Sequence, residues 1–158
     1  MTPQSQPVID LPKFDTGQYQ GCVFLMSDGD AQLSIHVAEL KQSPIRIHFD
    51  RVRWHLFTAL YNCSRDQVTA YFQLIEILNS SALIAYVAAD SAPKRAYREL
   101  HHYRIFLDET GCHELYAQSC HVNTPMGHVP QHAVAGAVAT CRSTLALDGR
   151  FACQLVRV

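Results

Sequence analysis

Strict alternation of apolar and polar positions dominates this chain. In residues 101–107, Tyr103, Ile105 and Leu107 alternate with more polar neighbours, Asp108, Glu109, Thr110 and Gly111 supply turn chemistry, and residues 112–117 resume a strand pattern. That predicts a β-hairpin. Residues 21–27 and 31–39 flank Asp28, Gly29 and Asp30, with Leu33, Ile35 and Val37 alternating, and predict an earlier one. After the Ser43-Pro44 break, Ile45, Ile47 and Phe49 share a face with Arg46 and His48 opposite. Apolar parity then switches, because Val52, Trp54 and Leu56 are even-numbered. A period-two chain changes face in this way only through a bulge or a tight connection, placed here at Asp50 and Arg51.

Helical signals are sparser. Asn79 and Ser80 precede residues 82–89, where Leu83, Ile84 and Val87 fall on one side, and serine is a good N-cap. Ser91, Ala92 and Pro93 end that helix. Residues 71–78 fit two patterns, a helical stripe of Phe72, Ile75 and Leu78 or a strand rich in β-branched and aromatic side chains; we read a strand. Beyond Val122 the chain is loop-like, then rich in small residues over 133–140. Asp148 and Gly149 then form a turn between residues 143–147 and 151–158. The pattern predicts a single α+β domain dominated by a twisted antiparallel sheet, with one or two short helices on one face. Residues 1–16 form an extended leader, residues 17–122 the core, and residues 123–158 a loop plus a C-terminal hairpin or extension.

Composition narrows the function. The 158 residues are 48% hydrophobic and 17% charged, enough for a real core, and the formal net charge of -1 gives no electrostatic case for nucleic acid. No basic start with an apolar core marks a signal peptide, and no apolar run reaches the roughly 18 residues of a membrane span. A soluble cytoplasmic protein is expected. The six cysteines are spread thinly, so free buried thiols are expected rather than a disulfide framework.

Nine histidines beside those cysteines raise the question of metal. There is no C-x-x-C or H-E-x-x-H, and Pro130 lies between His128 and His132. Pairing Leu107 with Cys112 would put His102 and His113 on one face, roughly 13 Å apart at strand rise, too far to chelate one ion. Neither a metal, a cofactor nor a catalytic residue is assigned, although scattered Cys and His could still converge in space on a metal or nucleophilic site.

Arginine and aromatic residues on extended segments do stand out, and both types are enriched at binding hot spots. Arg51, Arg53, Trp54, His55, Tyr97, Arg98, Tyr103 and Arg104 are the candidate protein-binding residues, with Asp108 and Glu109 at the hairpin tip as weaker ones. In element order, residues 47–57 (IHFDRVRWHLF), 74–84 (LIEILNSSALI) and 101–119 (HHYRIFLDETGCHELYAQS) resemble small bacterial proteins of the YxiG-like and polymorphic-toxin immunity type. The resemblance covers about half the chain and implies no catalytic residues. It implies a non-catalytic protein that binds and neutralises a partner toxin. The alternatives are a metal-dependent protein or enzyme that uses scattered Cys and His, and a self-associating structural subunit, for example a homodimer.

Overall fold

The computed structural model describes residues 4–9, 11, 14–38, 43–89 and 99–123. Nine strands, β1 (Gln4–Ile9), β2 (Tyr19–Ser27), β3 (Asp30–Val37), β4 (Ile45–Asp50), β5 (Trp54–Ala59), β6 (Leu74–Leu78), β7 (His101–Leu107), β8 (Gly111–Ala117) and β9 (Ser119–Asn123), lie among these residues. Two helices, α1 (Arg65–Val68) and α2 (Ser81–Ala89), flank β6. The strands form two sheets, ordered β1-β6-β7-β8-β5 and β2-β3-β4-β9, with every named pair antiparallel. The expected α+β, antiparallel architecture is present, but the sheet is divided in two.

The division explains the parity switch. β4 ends at Asp50, Arg51 takes a positive φ of 51°, and its N–H donates to Asp30 Oδ1 at 2.8 Å. Arg53 N–H then donates to the Tyr116 carbonyl, so residues 51–53 carry the chain from one sheet to the other. The reverse crossing runs alongside it: Gln118 N–H donates to the Asp50 carbonyl as β8 gives way to β9. The sheets are thus joined at one corner by two very short connections.

Between the sheets, Leu33, Ile35, Ile47 and Phe49 pack against Ile105, Leu107 and Leu115, all fully buried. Burying each such side chain contributes about 1.5–3 kcal/mol. A second, smaller cluster of Ala70, Ile75, Phe106 and Cys112 lies on the other face of the five-stranded sheet.

The leader does more than trail. Gln4–Ile9 is the edge strand β1, paired with β6 from Gln4 opposite Leu78 onward. Of the ambiguous stretch, Leu74–Leu78 is strand, and Tyr71 makes only an isolated bridge to Phe106. Ser80 caps α2 as expected: its Oγ accepts the Leu83 N–H at 3.1 Å. The hairpin expected after Val122 lies outside the described residues. No helix among the described residues is long and apolar enough to cross a membrane.

One register differs from expectation. Leu107 pairs with Gly111 rather than Cys112, because the turn has three residues, Asp108 to Thr110, with Glu109 at a φ of 58°. A one-residue slip exchanges faces. His113 therefore points between the sheets, opposite Ile105, while His102 points outward, opposite Tyr116.

Candidate functional site

The outward face of β7 and β8 carries charge where hydrophobic side chains would be cheaper to bury. Arg104 is opposite Glu114, and its guanidinium reaches Glu114 Oε1 from both Nε and Nη2 at 2.8 Å. Nη1 reaches Asp66 Oδ2 at 2.6 Å. Gln67 donates to Glu114 Oε2 at 2.9 Å, which occupies the remaining carboxylate oxygen. Asp66 and Gln67 arrive on α1, a single turn held by a capping box with Ser64: Ser64 Oγ accepts the Gln67 N–H, and Gln67 Oε1 accepts the Ser64 N–H. Burial opposes ionisation of Glu114, but contacts with His102, Gln67 and Arg104 outweigh it and hold the carboxyl at about 2. His102 completes this face, with Nδ1 at 2.8 Å from Ser80 Oγ and Nε2 at 3.4 Å from Glu114 Oε1.

The second cluster lies where edge strand β2 faces edge strand β5. Phe24 stacks on His55 with ring centroids 3.9 Å apart, and His55 Nε2 is 3.1 Å from His113 Nδ1. The other His113 nitrogen is 3.7 Å from Cys22 Sγ. Burial pushes His113 down to about 3, helped by His55, and pushes His55 down to about 4, so both rings are neutral near pH 7. His113 turns one nitrogen toward each neighbour, so the three side chains form a chain rather than a cage. Among the described residues no group of three or more His, Cys, Asp or Glu side chains could hold a metal ion.

Thiol chemistry finds no activated group among the described residues. Cys22, Cys63, Cys112 and Cys120 are free, and burial raises each of them, Cys112 to about 12 and Cys120 to about 11.

The candidate binding residues divide. Arg51 and Arg53 are exposed, at the crossing that leads into β5. Trp54 is half-buried and stacked on Tyr116 at 4.4 Å, and His55 is half-buried under Phe24. Tyr103 and Arg104 are not on an exposed face as expected. They are 4% and 8% exposed, Tyr103 between the sheets and Arg104 in the Glu114 network, because β7 is a central strand covered on both sides. Glu109 is exposed at the hairpin tip, while Asp108 is half-buried and accepts the Tyr71 hydroxyl at 3.0 Å. Tyr97 and Arg98 lie outside the described residues.

The sequence pattern assigns no role to Asp66, Gln67 or Glu114 and gives Ser80 none beyond a helix cap. The S-x-x-Q spacing of Ser64 and Gln67 was a usable helix-start signal. Nothing local marks the others, since Ser80, His102 and Glu114 meet only through strand pairing.

Comparison with protein-family models, curated proteins and solved structures gives no match for this chain.

Proposed function

We propose that this chain is a protein-binding module of the immunity type, which sequesters a partner protein such as a toxin on the flank where β2 and β5 meet. The observation that carries this reading is that five of the ten exposed large apolar side chains among the described residues fall on these two edge strands. Val23, Leu25 and Met26 on β2 and Leu56 and Phe57 on β5 are all at least 38% exposed. Both are edge strands, whose outer backbone groups have no strand neighbour among the described residues. Exposed apolar edges are a liability that soluble proteins usually blunt, unless a partner covers them. Arg51 and Arg53 stand at the head of β5 and add forked donors beside that apolar surface. A cytoplasmic setting, which keeps thiols reduced, suits the four free cysteines.

The test is calorimetric titration of the purified chain with a toxin-domain protein encoded next to it, repeated for Leu25→Ser, Leu56→Ser and Arg53→Ala. We expect at least a tenfold loss of affinity with each, no change in thermal midpoint, and no loss for the control Val68→Ser. Equal binding by all four would remove the flank from consideration. A dimer seen by light scattering and broken by the Leu25 and Leu56 substitutions, without toxin binding, would replace the reading with self-association.

A further inference from the structure

Away from the binding flank, and independently of it, three side chains stand in line on the outward face of the five-stranded sheet. Ser80 comes from the junction of β6 and α2, His102 from β7 and Glu114 from β8. Asn79, with a φ of 52°, turns the chain sharply between strand and helix and sets the Ser80 hydroxyl against the sheet. Ser80 Oγ accepts the Leu83 N–H and lies 2.8 Å from His102 Nδ1; the Glu114 carboxylate that faces Nε2 can only accept, so the ring hydrogen belongs on Nε2 and Nδ1 is left to accept the Ser80 proton.

Nε2 is the one buried side-chain nitrogen or oxygen among the described residues without a hydrogen-bond partner, on a ring only 5% exposed. It faces Glu114 Oε1 at 3.4 Å, and Arg104 and Gln67 fix that carboxylate in place. A neutral ring gains little from this contact. A ring that accepts a second proton carries a positive charge beside the ionised carboxylate, an ion-pair attraction that the neutral ring lacks. The Glu114 carboxylate therefore stands beside the imidazolium that forms when Ser80 gives up its proton.

We propose that Ser80 is a nucleophile for acyl transfer from small esters, with His102 as its base and Glu114 as the carboxylate that stabilises the charged ring. The order hydroxyl, imidazole, carboxylate is that of a nucleophile triad, recognised by geometry and roles rather than by sequence position. The first-turn N–H groups of Ser81 and Ala82 are unused by the hydrogen bonds of the described residues and lie next to the nucleophile, where a developing oxyanion would accept them. Ser80 is 7% exposed, which restricts the acyl group to a small one. α2 buries none of its own residues, and Tyr86 holds it to the sheet through a hydroxyl bond to the Arg53 carbonyl and a ring contact with Tyr116.

In the first step a bond forms between Ser80 Oγ and the acyl carbon as the hydroxyl proton passes to His102 Nδ1. The tetrahedral intermediate collapses, the carbon–oxygen bond to the leaving alcohol breaks, and His102 returns the proton to that alcohol. Water then adds to the acyl-serine with His102 again taking the proton. Collapse breaks the bond between the acyl carbon and Ser80 Oγ, releases the carboxylic acid, and returns the proton from His102 Nδ1 to Ser80 Oγ.

The test uses the full chain with a fluorophosphonate probe, followed by peptide mapping, and with p-nitrophenyl acetate for kinetics. We expect labelling at Ser80 and a burst of nitrophenol equal to the protein concentration. Ser80→Asn, which keeps a helix-capping side chain, should lose both while its thermal midpoint stays unchanged. His102→Gln should slow labelling about 100-fold or more. A native chain left unlabelled at Ser80 overturns the proposal, as does labelling at an undiminished rate in His102→Gln. The first of these needs no variant, so a substitution that fails to fold does not protect the idea.

Discussion

At the scale of single residues, two positions carry more than their neighbours. Arg104 and Glu114 are a buried ion pair, and removing one partner strands the other charge. Arg104→Met should cost about 3–5 kcal/mol in urea unfolding, whereas the double replacement Arg104→Met with Glu114→Leu should recover most of it. Recovery of nothing would mean that Asp66 and Gln67, not the pair, hold this face together. Gly111 is the other position. Its φ is 136°, and a Cβ there would sit 2.2 Å from the Thr58 carbonyl oxygen of the adjacent β5 backbone. Since backbone cannot step aside as a flexible side chain can, Gly111→Ala should cost at least about 3 kcal/mol and loosen β5 first. Amide exchange along residues 54–59 would show it, and protection equal to the parent's would refute it.

At the scale of elements, what was legible followed from period. The Asp28-Gly29 and Asp108–Gly111 hairpins, the Ser80 cap and the face change at Asp50 all show in the apolar pattern. What failed had two physical causes. Register is fixed by turn geometry, and one residue more or less in the loop after Leu107 decides whether His113 faces outward with His102 or inward between the sheets. Burial is fixed by which strands are central, and an Arg in an alternating pattern reads as solvated even when a carboxylate on the next strand and a helix above it satisfy its donors. That is why the pattern offers Arg104 and Tyr103 as binding residues and gives no sign of Glu114 as a partner. α1 was missed because one turn has no periodicity, although its capping box was visible. Ser64→Ala removes the acceptor for the Gln67 N–H and should cost about 1 kcal/mol. It should also raise the exchange rate of the Val68 amide, whose bond to the Ser64 carbonyl is 3.2 Å long. A neutral substitution would show that α1 is held only through the Asp66 and Gln67 side chains.

At the scale of the whole molecule, acid is the informative stress. His55 and His113 are held below the ordinary imidazole range, so the unfolded chain binds protons that the folded chain refuses. Stability is therefore complete above about pH 6.5 and falls as pH drops toward about 4 and 3, by up to about 1.4 kcal/mol per unit for each ring. Glu114, held at about 2, adds a second loss that begins as pH falls through the ordinary carboxylate value of 4.5 and continues down through about 2. Urea midpoints measured from pH 7 to pH 3 should decline early, and His113→Phe should flatten the decline between pH 6.5 and pH 4. A decline that starts only below pH 4.5, with or without His113, would show that these rings are hydrated.

The pairing of β1 with β6 has a consequence for how the chain assembles. Gln4 and Leu78 are joined across more than seventy positions, whereas β2 with β3 and β7 with β8 close over tight turns. Local hairpins form in microseconds, while distant partners wait for the loop between them to close. Until the arm docks, the Leu74–Leu78 strand, LIEIL, presents an apolar, hydrogen-bond-hungry rim to every other molecule at the same stage. The first strand of this protein thus serves as a built-in chaperone for the sixth, and a chain shortened by residues 1–9 should be lost to precipitation during refolding more than to any fall in the stability of what does fold.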